Sequence, residues 1–157
     1  HPRNLHSFPT RRSSDLEVKI HTDGGALGNP GPSAIGIVIE LPDTKKTYAE
    51  DIGEGTNNEA EYKALIFALK KTKTLLSGAK AKQSNLTCFA DSELMVKQLN
   101  HQYQIKNDRI AKLFIEVWNL ILEYKKVEFI HVMREKNQEA DSLVKSIFAK
   151  RNQRSFI

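Results

Sequence analysis

The sequence predicts an α/β fold: a mixed sheet whose first three strands pair antiparallel, flanked by helices in the order βββαβααβα. Three observations predict it. Near the N-terminus Val18, Ile20 and Thr22 alternate with Lys19, His21 and Asp23, as in a strand with one buried face. Turn residues separate three such segments closely enough to impose antiparallel pairing. Beyond residue 56 the apolar period becomes helical, and two short apolar runs, 86–90 and 127–132, stand between helical stretches, as strands of a helix-covered sheet do.

The first strand begins at Glu17, and residues 24–32, rich in Gly and Pro, read as a loop. Residues 34–39 form the second strand, Pro42-Asp43 a turn, and residues 46–53 the third strand. Residues 57–76 carry Ala60, Ala64, Leu65, Ala68, Leu69, Leu75 and Leu76 at helical spacing, and Thr56-Asn57-Asn58-Glu59 has the form of a capping box. A loop is expected around Ser77-Gly78. The fourth strand, 86–90, is followed by a helix from Ser92 to about Asn100 and another over 108–123. The fifth strand, 127–132, leads into a final amphipathic helix over 138–150, with Ala140, Val144, Ile147 and Phe148 inward.

A chain of 157 residues fits one domain, expected over residues 16–151. Residues 1–15 are rich in Pro, Arg and Ser without a period. They are expected to form a disordered lead, and residues 7–16 resemble translated adapter sequence, so this stretch is set aside from the fold. A basic nucleic-acid-binding arm is the alternative. Residues 152–157 are expected as a tail. The net charge of +5 and pI near 9.3 lean toward a polyanionic partner. Without the three Arg and one Asp of the lead, 21 basic and 18 acidic residues remain, so the charge signal is weak. No apolar run approaches the roughly 18 residues of a membrane span. The single cysteine, Cys88, excludes an intramolecular disulfide, and a reducing cytoplasm is the expected compartment.

Four carboxylates occupy places that invite chemistry. Asp23 ends a strand and Asp91 closes the central one; taken singly, these are also ordinary turn and cap positions. Glu61 shares a helix face with Leu65 and Ala68, and Asp141 aligns with Val144 and Phe148, so both border the core. A partly buried carboxylate needs a partner, and a divalent cation shared by several is a natural one. If the first and fourth strands are neighbours, Asp23 and Asp91 meet where ligands of open sheets collect, and four carboxylates can hold two cations. Oxygen-only ligands favour Mg²⁺ or Mn²⁺ over zinc. The glycines at 24, 28 and 31 do not mark a nucleotide-phosphate loop, because the segment leads into a strand and not a helix.

Residues 23–32 (Asp-Gly-Gly-Ala-Leu-Gly-Asn-Pro-Gly-Pro), 56–62 (Thr-Asn-Asn-Glu-Ala-Glu-Tyr), 91–94 (Asp-Ser-Glu-Leu) and 134–141 (Arg-Glu-Lys-Asn-Gln-Glu-Ala-Asp) resemble the successive motifs of type I ribonuclease H. The likeness runs from about residue 17 to 150 and is specific because four motifs occur in order. It implies the ribonuclease H-like fold, a five-stranded mixed sheet of three antiparallel strands then two parallel ones, and an Asp-Glu-Asp-Asp metal site at Asp23, Glu61, Asp91 and Asp141. It implies a two-metal endonuclease cutting the RNA strand of RNA/DNA hybrids and leaving 3′-hydroxyl and 5′-phosphate ends. By the same likeness Gly28, Asn29, Asn57 and Asn58 face the hybrid's minor groove, where amides read the 2′-hydroxyl, and Thr56 and Asn107 hold a phosphate of the DNA strand. The expected partner is the hybrid alone, bound by a monomer.

Two departures from the family pattern stand out. The loop before the last Asp, residues 133–137, lacks the histidine that many relatives carry; His131 lies in the fifth strand and is expected to pack there. Only residues 101–107 separate the second and third helices, where some relatives insert a basic helix. Binding then rests on Lys106, Arg109, Lys112 and scattered lysines, and is expected to be modest and strongly salt-dependent. A non-catalytic hybrid-binding module is one rival reading, and a related-fold enzyme such as an integrase, or a ribonuclease H module of a larger polyprotein, is the other.

Overall fold

A computed structural model describes residues 14–154. Three strands, β1 (Leu16–Ala26), β2 (Gly31–Glu40) and β3 (Lys45–Gly55), lead into α1 (Asn57–Leu76) and a short α2 (Gly78–Ala81). Then come β4 (Ser84–Ala90), α3 (Glu93–Leu99), α4 (Asp108–Ile121), β5 (Lys126–His131), a single 3₁₀ turn at Arg134–Lys136, and α5 (Gln138–Arg154). The five-stranded sheet has the order β3-β2-β1-β4-β5. β1 pairs antiparallel with β2 and β2 with β3, while β1–β4 and β4–β5 are parallel. This is the expected mixed sheet, and its ribonuclease H-like arrangement is the one predicted.

β2 reads as an unbroken apolar run because both of its faces are covered. Ile35, Ile37 and Ile39 join the main core with Tyr62, Leu65 and Leu69 of α1, while Gly36 lies under α5. A Cβ on Gly36 would stand 2.4 Å from the Ala140 carbonyl oxygen, so the helix backbone rests directly on the sheet. Helix α1 begins where expected: Thr56 accepts a hydrogen bond from the Glu59 N–H at 3.1 Å, satisfying one of the four free amides of a helix start. Ala140 and Val144 of α5 are buried, with Ile147 and Phe148 half-buried.

Five expectations are corrected. The loop over 24–32 is shorter: β1 runs through Ala26 and β2 begins at Gly31, because the antiparallel register continues to Ala26 opposite Ser33 and the Leu27 N–H donates to the Pro32 carbonyl. The stretch after Ser77 is not a plain loop but carries α2, anchored by the buried Ala81. Asp15, placed in the lead by its composition, pairs with Lys125 at 2.7 Å, and α5 extends through residues 152–154 of the expected tail. His131 is exposed and does not pack, since β5 is the sheet's edge strand. Residues 1–13 and 155–157 of the proposed lead and tail lie outside the described residues.

Candidate active site

Parallel pairing of β1 with β4 sets Thr22 beside Ala90. The next residue of each chain segment is an aspartate, so Asp23, still within β1, and Asp91, just past the end of β4, stand side by side. Glu61 reaches them because α1 crosses β1 at the closest range a backbone allows: a Cβ on Gly24 would lie 2.4 Å from the Ala60 carbonyl group and 2.7 Å from the Glu61 nitrogen. Only glycine permits that crossing. One oxygen from each of Asp23, Glu61 and Asp91 lies within 4.8 Å of the other two.

Three carboxylates this close and this buried work against one another. Burial pushes the Asp23 carboxyl up to about 7, and the charges of Asp91 and Asp141 push the same way. Glu61 is raised further above its ordinary range by burial and by Asp23 and Asp91. The hydrogen bond between the two lowers Asp23 and raises Glu61. Glu61 Oε2 and Asp91 Oδ2 are buried without a hydrogen-bond partner, which is costly in a fold unless a cation completes them. Hard oxygen donors, convergent and incompletely satisfied, fit a divalent cation of the Mg²⁺ or Mn²⁺ type.

Asp141 stands outside this three-way cluster. It lies in the first turn of α5, with 19% of its side chain exposed and an ion pair to Lys145 at 2.9 Å, yet it is near enough to raise Asp23. On the other side, the exposed Arg134 brings its Nε to 3.9 Å from Asp91 Oδ2.

The residues expected to contact substrate lie at the β1–β2 tip and at the N-terminal ends of α1 and α4. Gly28 sits at the exposed β1–β2 tip with φ +81°, a conformation suited to glycine. Asn29 Oδ1 accepts from the Asn57 N–H at 2.9 Å, and Asn57 Oδ1 accepts from the Ala26 N–H at 2.8 Å. With those oxygens engaged, the amide nitrogens are the ends left to donate outward. Asn29, Asn58, Thr56 and Asn107 line one open cleft of about 330 Å³, together with Lys106 and Gln98. Asn107 caps α4, its Oδ1 accepting from the Arg109 and Ile110 N–H groups at 2.8 and 3.1 Å. Gln98, which the sequence did not single out, is held by the Tyr62 hydroxyl at 2.8 Å. Sequence reasoning also misses Asn137. It is 1% exposed, and its signal is an amide immediately before a helix and four residues before an aspartate.

Fold and carboxylate cluster define an α/β protein of the ribonuclease H-like class. Residues 21–147 match the family described as reverse transcriptase-like. The chain is 30% identical over 139 residues to ribonuclease HI of Helicobacter pylori, covering 82% of this chain and 91% of that protein. A bifunctional protein of Mycobacterium tuberculosis is 32% identical over 131 residues, 82% of this chain. This chain spans about a third of that relative's length, 34%. Among solved structures, LC11-RNase H1 isolated from compost superposes with a TM-score of 0.78 at 38% identity, covering 85% of this chain and 96% of that one. The chain belongs to the type I ribonuclease H family.

Proposed function

We propose that this protein is an endonuclease that hydrolyses the RNA strand of RNA/DNA hybrids, assisted by two divalent cations, and leaves 3′-hydroxyl and 5′-phosphate ends. The observation that carries the reading is the convergence of Asp23, Glu61 and Asp91 within 4.8 Å. The similar LC11-RNase H1 has been solved in complex with an RNA/DNA hybrid, which supports the substrate class.

Asp23, Glu61 and Asp91 would hold one cation, and Asp141, once released by Lys145, would share in a second. Bound Mg²⁺ or Mn²⁺ supplies Lewis acidity toward the attacking water and the leaving oxygen. Carboxylates bind a cation in their ionised form, so the upward shifts of Asp23 and Glu61 make cation affinity increase with pH. Asn29, Asn57 and Asn58 would offer amide donors to 2′-hydroxyls across the minor groove, with Gly28 allowing close approach. Thr56 and Asn107 would hold a DNA-strand phosphate in the neighbouring cleft, aided by Lys106.

A module that only binds hybrid is disfavoured, because clustered negative charge repels the phosphates it would have to approach. The test is cleavage of an end-labelled RNA strand annealed to DNA, with Mg²⁺ or Mn²⁺. Metal-dependent internal cuts, lost in Asp23→Asn and absent on single-stranded RNA, are expected. Tight hybrid binding without cutting under either metal would refute the hydrolase.

A further inference from the structure

We propose that Asn137 is a positioning residue that sets the fourth carboxylate, Asp141, against the cluster of Asp23, Glu61 and Asp91; this rests on the hydrolase reading above. Asn137 is among the largest fully buried side chains. Its Nδ2 donates to the Thr22 carbonyl at 2.9 Å, one residue before Asp23. Its backbone carbonyl accepts the Asp141 N–H at 3.1 Å, opening α5. One residue therefore fixes the strand at Asp23 and starts the helical turn that ends at Asp141.

A purely structural role is an incomplete explanation. Asn137 Oδ1 and Thr22 Oγ1 are both buried without a hydrogen-bond partner among the described residues. A buried amide satisfied at one end is a poorer filler than an apolar side chain of its size, so what it contributes is geometry. The packing of α5 does not supply that geometry alone. Gly36 sets how closely the helix approaches the sheet, through its contact with Ala140, but that van der Waals contact fixes no direction of α5 relative to β1. The hydrogen bond of Asn137 to Thr22 supplies that direction, and its removal would leave Asp141 free to follow its exposed partner Lys145.

The test is a double-mutant cycle on the full chain with Asn137→Ala, Asp141→Asn and the combination. The readouts are kcat and KM on hybrid in Mg²⁺, and the Kd for Mn²⁺ by calorimetry. Loss of an outer partner of a metal-binding carboxylate lowers activity or affinity by about 10–100-fold, so Asn137→Ala is expected to lower kcat in that range with KM unchanged. Its loss should not add to that of Asp141→Asn, in kcat or in Mn²⁺ affinity. Asn137→Ser, too short to reach Thr22, is expected to repeat the pattern and serves if the alanine variant folds poorly. Wild-type kcat in both variants, fully additive losses, or no effect of Asp141→Asn on either readout would overturn the proposal. A wild-type chain that binds Mn²⁺ but leaves hybrid uncut would refute the hydrolase and leave the Mn²⁺ cycle to decide on Asn137.

Discussion

Replacing Asp23 by asparagine should make the metal-free protein more stable while abolishing its activity. The Asp23 carboxyl rises from its ordinary 3.8 to about 7 and is only 8% exposed. At about 1.4 kcal/mol per pKa unit, that rise corresponds to roughly 4 kcal/mol held against the ionised form. Because the native state favours the protonated carboxyl, it binds more protons than the unfolded chain between those two values. Stability from this group is therefore greatest at and below 3.8 and falls as pH rises through about 7. The substituted amide carries no charge, so at about pH 8 in EDTA the variant should gain about 2–4 kcal/mol. At roughly 2–4 °C per kcal/mol for a chain of this size, Tm rises by roughly 4–16 °C. The assay is thermal unfolding of both proteins across pH in EDTA and again in Mg²⁺. The gain should shrink as pH falls to about 4 and below, where the carboxyl is protonated in the native state and increasingly so in the unfolded chain. Added Mg²⁺ should raise the wild-type Tm more than that of the variant. A variant no more stable than wild type at high pH in EDTA, or a gain that does not change with pH, would refute the electrostatic account of the cluster.

Two further outcomes follow from the same geometry. Gly24→Ala forces a Cβ into the Ala60 carbonyl at 2.4 Å; it should cost about 1–3 kcal/mol in urea unfolding and lower kcat by displacing Glu61, and a wild-type unfolding midpoint would contradict the close crossing. Asn107→Ala should remove about 1 kcal/mol of helix capping and raise KM for hybrid about tenfold with little change in kcat; a fall in kcat at constant KM would remove it from the phosphate cleft.

Much of this is legible along the chain because it depends on local periodicity. The cap at Thr56 and the α1 span 57–76 follow from short-range spacing. So does β2, whose unbroken Ala-Ile-Gly-Ile-Val-Ile run reflects cover on both faces. The type and order of the carboxylates are legible too, since Asp23 and Asp91 each follow a strand-like run and Glu61 sits on an apolar helix face. What misleads is composition without context. The glycines after Asp23 suggest a loop, but cross-strand register keeps Gly24 and Gly25 in β1, and His131 looks interior only because its strand's place at the sheet edge is a property of topology.

Residue types and periods along the chain thus specified the main strands and helices and the four acidic positions, because helix and strand propensity and amphipathic spacing act over a few neighbours, while four ordered motifs carried the likeness to the family. Tertiary packing brought three of those acids within 4.8 Å. It raised the carboxyls of Asp23 and Glu61 and gave Asn137 its reach to Thr22. Those features depend on burial and on contacts between residues about 30 to 115 apart, and both arise only when the strands pair and the helices close over them.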